Sequence, residues 1–195
     1  MSQFECFETC AEMVQASFSH HITRHILNTT GIVRFPKHQY DMVRIGIGLY
    51  GIKTMHDGSE DALWPVSALH SVVISLKEWK AGTTIGYGRK GVLARDSRIA
   101  TVTIGYADGY DRRFSCGVGS VMIHDTLCPI VGNVCMDTCM VDLTALQGKV
   151  AEGDEVIIFG VPGLQVSDLA ERIGTIPYEV ISKLSPRIKR TYYKS

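Results

Sequence analysis

Beyond Trp64-Pro65 the chain breaks into many short apolar runs divided by glycine, and that texture constrains the fold more than any other feature. Apolar runs at 66–76, 98–104, 120–123, 134–143 and 155–159 read as strands. Lys80-Ala81-Gly82, Ala107-Asp108-Gly109 and Glu152-Gly153-Asp154 read as the turns between them. Short strands at such intervals build a small barrel or a sandwich. Two helices follow, 167–173 with Ser167 at its N-cap and 177–184 with Pro177 in its first turn.

Residues 1–52 have another texture. Phe4, Phe7, Ala11, Val14 and Phe18 recur at spacings of three and four, which places them on one stripe of an amphipathic helix. A strand-like run ends at Asn28, the next residues read as a loop, and 42–50, apolar on both faces, reads as a strand of a parallel sheet. This is the pattern of the last helix and last two strands of a β/α array. Residues 53–63, polar and acidic around Gly58, read as a linker, and 64–195 as a β-rich domain.

Lysine plus arginine equals aspartate plus glutamate at 20 each, so no net charge draws the chain to nucleic acid. The basic run Arg187-Ile188-Lys189-Arg190 reads as a solvated end. No apolar stretch approaches the roughly 20 residues that span a bilayer, and the N-terminus has no basic-then-apolar pattern. The expectation is a cytoplasmic protein that binds neither membrane nor nucleic acid. None of the six cysteines stands in a C-x2-C pair. Cys135 and Cys139, placed on one expected strand, would lie about 13 Å apart at 3.3 Å per residue, too far to share a metal. No metal is expected, and the cysteines read as reduced core thiols.

Three groups of residues point to chemistry. Tyr87 stands between Gly86 and Gly88, so its ring rides on backbone free to turn sharply. Such a phenol can be a general base, a ligand-orienting hydrogen-bond group or a buried aromatic. Asn28-Thr29-Thr30-Gly31 and Gly46-Ile47-Gly48 follow the two expected strands. Loops in that position at the end of a β/α barrel bind phosphate through backbone N–H groups and small polar side chains, although such glycines also serve close packing alone. Arg44 interrupts an apolar strand, and a buried guanidinium needs a carboxylate or a ligand acceptor. His25 stands near it on the preceding run.

Several stretches resemble bacterial alanine racemase, in order and over nearly the whole chain. Arg24-His25-Ile26-Leu27-Asn28-Thr29, Arg34-Phe35-Pro36 and Tyr40-Asp41-Met42-Val43-Arg44-Ile45-Gly46-Ile47-Gly48-Leu49-Tyr50-Gly51 resemble the end of its barrel. Gly82-Thr83-Thr84-Ile85-Gly86-Tyr87-Gly88, Ile104-Gly105-Tyr106-Ala107-Asp108-Gly109-Tyr110, Pro129-Ile130-Val131-Gly132, Met136-Asp137, Gly153-Asp154 and Tyr178-Glu179 resemble its β domain. The fold implied is mainly β, a C-terminal barrel-like or sandwich-like domain preceded by the last β/α units of a (β/α)8 barrel.

The resemblance also implies a pyridoxal 5'-phosphate enzyme that interconverts L- and D-alanine for cell-wall peptidoglycan. Asn28, Thr29, Gly46 and Ile47 would hold the cofactor phosphate, and Arg44 would face the pyridine nitrogen with His25 behind it. Tyr87 would be the base on the L-alanine face, Met136 would offer its backbone N–H to the substrate carboxylate, and Tyr106, Arg112 and Asp137 would line the entrance. The implied assembly is a homodimer in which Tyr87, Tyr106 and Met136 serve the opposite subunit. A free tyrosine is only about one part in a thousand ionised at pH 7, so such a base needs a neighbouring cation. In the family that arginine comes from the earlier part of the barrel.

The sequence departs from the family pattern in three places. None of Lys37, Lys53, Lys77, Lys80 and Lys90 stands in the Lys-x-x-Ala-Tyr-Gly-x-Gly setting of the cofactor lysine, so a lysine-bearing barrel half is an expected partner. Pro186 stands where the family often has a phosphate-binding tyrosine, and Asn133 where it has an entrance arginine. A different reading of the same chain is a β-barrel interaction module whose Gly-Tyr loops are structural.

Overall fold

The computed structural model describes residues 2–53, 55, 63–146 and 148–193. It divides into two compact units, Met1–Val66 and Ser67–Ser195. In the first, helix α1 (Gln3–Ala16) opens on a reciprocal cap. The Ser2 hydroxyl accepts from the Glu5 N–H at 3.3 Å, and the Glu5 carboxylate accepts from the Ser2 N–H at 2.6 Å. The expected apolar stripe is covered at one end only. Phe4 stacks on His38 with centroids 4.1 Å apart, and Phe7 lies 5.1 Å from the Tyr40 ring. Val14 and Phe18 remain about half exposed.

The stretch after Asn28 is a helix rather than a loop. The Asn28 side chain accepts from the Gly31 N–H at 3.0 Å and starts α2 (Thr29–Arg34). The strand expected at 42–50 shrinks to one parallel bridge, Asn28 with Arg44, followed by a 3-10 turn at Ile47–Tyr50. A strand apolar on both faces needs neighbours on both sides, and here Met42 and Ile45 stay exposed while Ile47 alone of the three turns inward. The expected linker falls largely on 54 and 56–62, outside the described residues.

In the second unit, eight strands follow in order: β1 (Leu69–Trp79), β2 (Thr84–Ile85), β3 (Gly91–Val92), β4 (Ser97–Val102), β5 (Ser120–Ile123), β6 (Thr126–Val131), β7 (Cys139–Asp142) and β8 (Glu155–Phe159). Six of them close into an antiparallel barrel in the order β1-β4-β7-β6-β5-β8, and β2 with β3 forms a separate hairpin. Alternation drives the closure. Val121 and Ile123 on β5, Val141 on β7, and Val156 and Ile158 on β8 are fully buried, and the residues that alternate with them are only partly buried. Long β1 pairs with β8 through its first half and with β4 through its second, and its register shifts between Leu69 and His70 toward β8 and between Val73 and Ser75 toward β4.

Three details differ from expectation. Strand β6 contains Pro129, which cannot donate to a ladder, and that proline hides the strand from pattern reading. The strand expected at 134–143 begins only at Cys139, so Cys135 and Cys139 do not share a strand. Helix α3 (Val166–Arg172) starts after Gln165 rather than Ser167, because the Asp168 carboxylate accepts from the Gln165 N–H at 2.7 Å. Helix α4 (Pro177–Ser182) opens on proline as expected.

Candidate active site

Tyr87 leaves β2 on a sharp corner and begins a 3-10 turn, Tyr87–Arg89. Gly86 and Gly88 both have positive φ, 75° and 69°, and a Cβ on Gly86 would stand 2.8 Å from the Met140 side chain. The Met140 methyl could move aside, so it is the positive φ that calls for glycine at this corner. The ring is 78% exposed, which removes the buried-aromatic alternative. Asn133 donates through Nδ2 to the Tyr87 carbonyl at 2.9 Å, which fixes the backbone of the tyrosine. Beside the ring an open cavity of about 530 Å³ is lined by Lys77, Trp79, Thr101, Cys135 and Met140, among others.

The expected entrance residues sit on two loops that are stitched together. The Tyr106 N–H donates to the Cys135 carbonyl at 3.0 Å and the Ala107 N–H to the Met136 carbonyl at 2.9 Å. A Cβ on Gly105 would lie 2.3 Å from the Met136 oxygen, so only glycine allows this approach. Tyr106 and Met136 are exposed at 43% and 54%. Arg112 is exposed on the 3-10 turn Arg112–Phe114. Asp137 is also solvent-facing, yet it is held: Arg187 donates through Nη2 to its Oδ1 at 2.8 Å.

That contact narrows the reading of 187–190 as a solvated end: Arg187, Lys189 and Arg190 are exposed, but Arg187 is paired. Arg187 also donates through Nε to Asp108 at 2.7 Å, and the other Asp108 oxygen accepts from the Gly105 N–H at 2.9 Å. Asp108 is buried at 9% exposure. Neither residue was singled out as functional from the sequence; the available signal was an aspartate inside a Gly-Tyr-Ala-Asp-Gly turn. Next to it, Arg113 and Lys183 both bridge Asp111 and Glu179. Arg113 holds the Asp111 carboxyl well below its ordinary range, and Lys183, then Thr175, pull Glu179 down to about 2.

Within the first unit the expected cofactor residues meet at the Asn28–Arg44 bridge. The buried Thr29 hydroxyl accepts from the Gly46 N–H at 2.9 Å and lies 3.5 Å from the Gly48 nitrogen. A Cβ on Gly48 would stand 2.7 Å from the Thr29 methyl group, so the turn must carry glycine there. Ile47 is buried, anchoring the turn. Arg44 is exposed rather than buried, and it donates through Nη2 to the Ile26 carbonyl at 3.0 Å instead of pairing with a carboxylate. A residue on a single bridge, with no strand beyond it, keeps its side chain in water. His25 is exposed as well. The Gly46 N–H is turned to Thr29, whose hydroxyl oxygen accepts it and keeps its own hydrogen to donate; that hydroxyl and the remaining N–H groups of the Arg44 guanidinium form a donor set that fits a phosphate ester and a ring nitrogen.

Among the described residues, no group of three or more His, Cys, Asp or Glu is placed to hold a metal, and no helix is long and apolar enough to cross a membrane. All six cysteines are free thiols, but only Cys128 and Cys139 are buried as expected of core thiols; Cys6 and Cys10 lie on the exposed face of α1, and Cys116 is exposed in the turn before β5.

Residues 66–192 match the family model "Alanine racemase, C-terminal domain", and residues 1–54 match "Alanine racemase, N-terminal domain". The chain is 42% identical over 178 residues to an alanine racemase of Clostridium novyi, covering 89% of this chain and 46% of that protein. It superposes on the crystal structure of alanine racemase from D-cycloserine-producing Streptomyces lavendulae with a TM-score of 0.88 at 28% identity, over 99% of this chain and 51% of that one. It also superposes on the alanine racemase of Bartonella henselae with covalently bound pyridoxal phosphate, with a TM-score of 0.82 at 32% identity, over 95% and 50%. The chain spans about half the length of the curated relatives it matches.

Proposed function

The chain belongs to the alanine racemase family, and from that premise we propose that it is the C-terminal portion of an enzyme interconverting L- and D-alanine for peptidoglycan synthesis. In this reading residues 1–52 end the cofactor-binding barrel, 53–63 link, and 64–195 form the β domain. The observation that supports it most is the presentation of Tyr87. A ring 78% exposed on a glycine corner, with its carbonyl tied to Asn133, is placed to reach a substrate atom.

Racemisation removes a proton from one face of Cα and returns one to the other, so it needs two bases. Tyr87 is the base on the L-alanine face. The Met136 N–H receives the substrate carboxylate, and Tyr106, Arg112 and Asp137 shape the approach. Asn28, Thr29, Gly46 and Ile47 hold the phosphate of pyridoxal phosphate, with Arg44 toward the pyridine nitrogen and His25 behind it. The cofactor, when bound, supplies the electron sink that makes the Cα proton acidic. The protein works in the cytoplasm as a homodimer, Tyr87, Tyr106 and Met136 serving the opposite subunit. No lysine of this sequence has the family's cofactor setting, so this chain alone does not turn over alanine and requires the lysine-bearing barrel half.

The test is conversion of D- to L-alanine with added pyridoxal phosphate, by this chain alone and by a polypeptide joining it to the lysine-bearing half. The chain alone is expected to be inactive. In the joined polypeptide Tyr87→Phe should cut racemisation by orders of magnitude while cofactor absorbance is retained. Unchanged rates in both directions would remove Tyr87 from the reaction. Turnover by this chain alone would show that one of its own lysines holds the cofactor. No racemisation by any form would leave the interaction-module reading.

A further inference from the structure

We propose that Arg187 is a positioning residue that locks the loop bearing Tyr106 to the loop bearing Met136 and Asp137. Three segments far apart in sequence meet at its guanidinium. Its Nε donates to Asp108 at 2.7 Å and its Nη2 to Asp137 at 2.8 Å. Asp108 passes the constraint on, its second oxygen accepting from the Gly105 N–H at 2.9 Å, directly before Tyr106.

The chain bearing Arg187 is held against the same loop by its backbone. The Ser185 N–H donates to the Asp108 carbonyl at 3.0 Å. A Cβ on Gly109 would lie 2.4 Å from the Lys183 oxygen, so the segment 183–187 rests on this turn. Asp108 is buried and Asp137 is not, so one guanidinium spans from the interior to the mouth of the loops. A planar fork with several fixed donors can hold two carboxylates at once, whereas the single ammonium of lysine offers a point charge. Loss of the bridge leaves Asp108 buried without its cation and frees Asp137 to swing, which shifts the backbone that presents Met136.

The structural statement stands on contacts within this chain; its bearing on substrate rests on the racemase reading above. The experiment is amide hydrogen exchange by NMR on the full chain and its Arg187→Gln and Arg187→Lys variants. In Arg187→Gln, protection of the Gly105, Tyr106 and Ala107 amides should fall about tenfold, while amides of β4 and β7 keep theirs. Arg187→Lys should restore only part of the protection. If Arg187→Gln does not fold, Asp137→Asn, which removes only the exposed arm, should loosen Tyr106 and Ala107 by a smaller factor. Unchanged protection at these amides, or an equal loss across the barrel, would overturn the proposal. In the joined polypeptide, Arg187→Gln should raise KM for alanine about tenfold and lower kcat less than threefold. Loosened amides with an unchanged KM would reduce the bridge to a structural tie and overturn its positioning role. A polypeptide that never racemises alanine defeats the reading of function while leaving the amide result intact.

Discussion

At the scale of single residues, the second unit contains one polar group that works against the fold. Tyr110 is 4% exposed and stacks on Phe114 with centroids 4.6 Å apart. Its hydroxyl presses toward Gly119, where a Cβ would come within 2.7 Å, and has no hydrogen-bond partner among the described residues. A buried hydroxyl without a partner loses its water hydrogen bonds and regains nothing. Tyr110→Phe should therefore raise stability by roughly 1 kcal/mol, read as a shift in the urea midpoint with unchanged slope. A lower midpoint would mean that the hydroxyl is bonded in solution. Tyr87 is the contrasting case, a ring of the same type left in water by its glycine corner.

At the scale of elements, α4 packs through Val180 and is also tied to the turn before β5 by a charge cluster. Glu179 on the helix and Lys183 just after it meet Asp111 and Arg113 from the turn before β5. Both carboxyls titrate below their ordinary values, Asp111 because of Arg113 first and Glu179, at about 2, because of Lys183 first. A lowered acid stabilises the folded state at any pH above its unfolded pKa, and that contribution disappears as pH falls through its folded pKa. The thermal midpoint should thus fall as pH drops from about 4.5 toward 2, and Glu179→Gln should flatten the fall within that window. Since the pair is well exposed, salt should weaken the effect. A midpoint insensitive to Glu179→Gln at every pH would show that packing of Val180 alone holds the helix.

At the scale of the whole molecule, the two units are built from unequal cores. Among the described residues of Met1–Val66 the buried hydrophobics are Leu27, Ile47 and Ile52, whereas Ser67–Ser195 closes a barrel around more than a dozen. Hydrogen exchange follows the cost of local opening, and a unit with few buried apolar groups opens cheaply. The amides of β4, β7 and β8 should exchange at least a hundredfold more slowly than those of α1. Uniform protection across both units would mean that the first is stabilised by burial beyond its own core.

What the sequence by itself determined was local and periodic. Glycine-divided strands marked a small barrel or sandwich, the stripe from Phe4 to Phe18 marked α1 although Phe18 lies beyond its end, and the Gly-Tyr-Gly corner marked Tyr87, because each depends on neighbours within a few residues. What only the tertiary structure decided depends on partners far along the chain. Residues 42–50 have the composition of a strand, but a ladder needs strands on both sides and here yields one bridge. Strand β6 exists despite Pro129 because β5 and β7 flank it. Arg44 was expected inside and lies in water, and Arg187 was expected in water and joins Asp108 to Asp137. Whether a guanidinium is solvent-facing or structural depends on the carboxylates that the fold brings to it, and those of Arg187 lie 79 and 50 residues away.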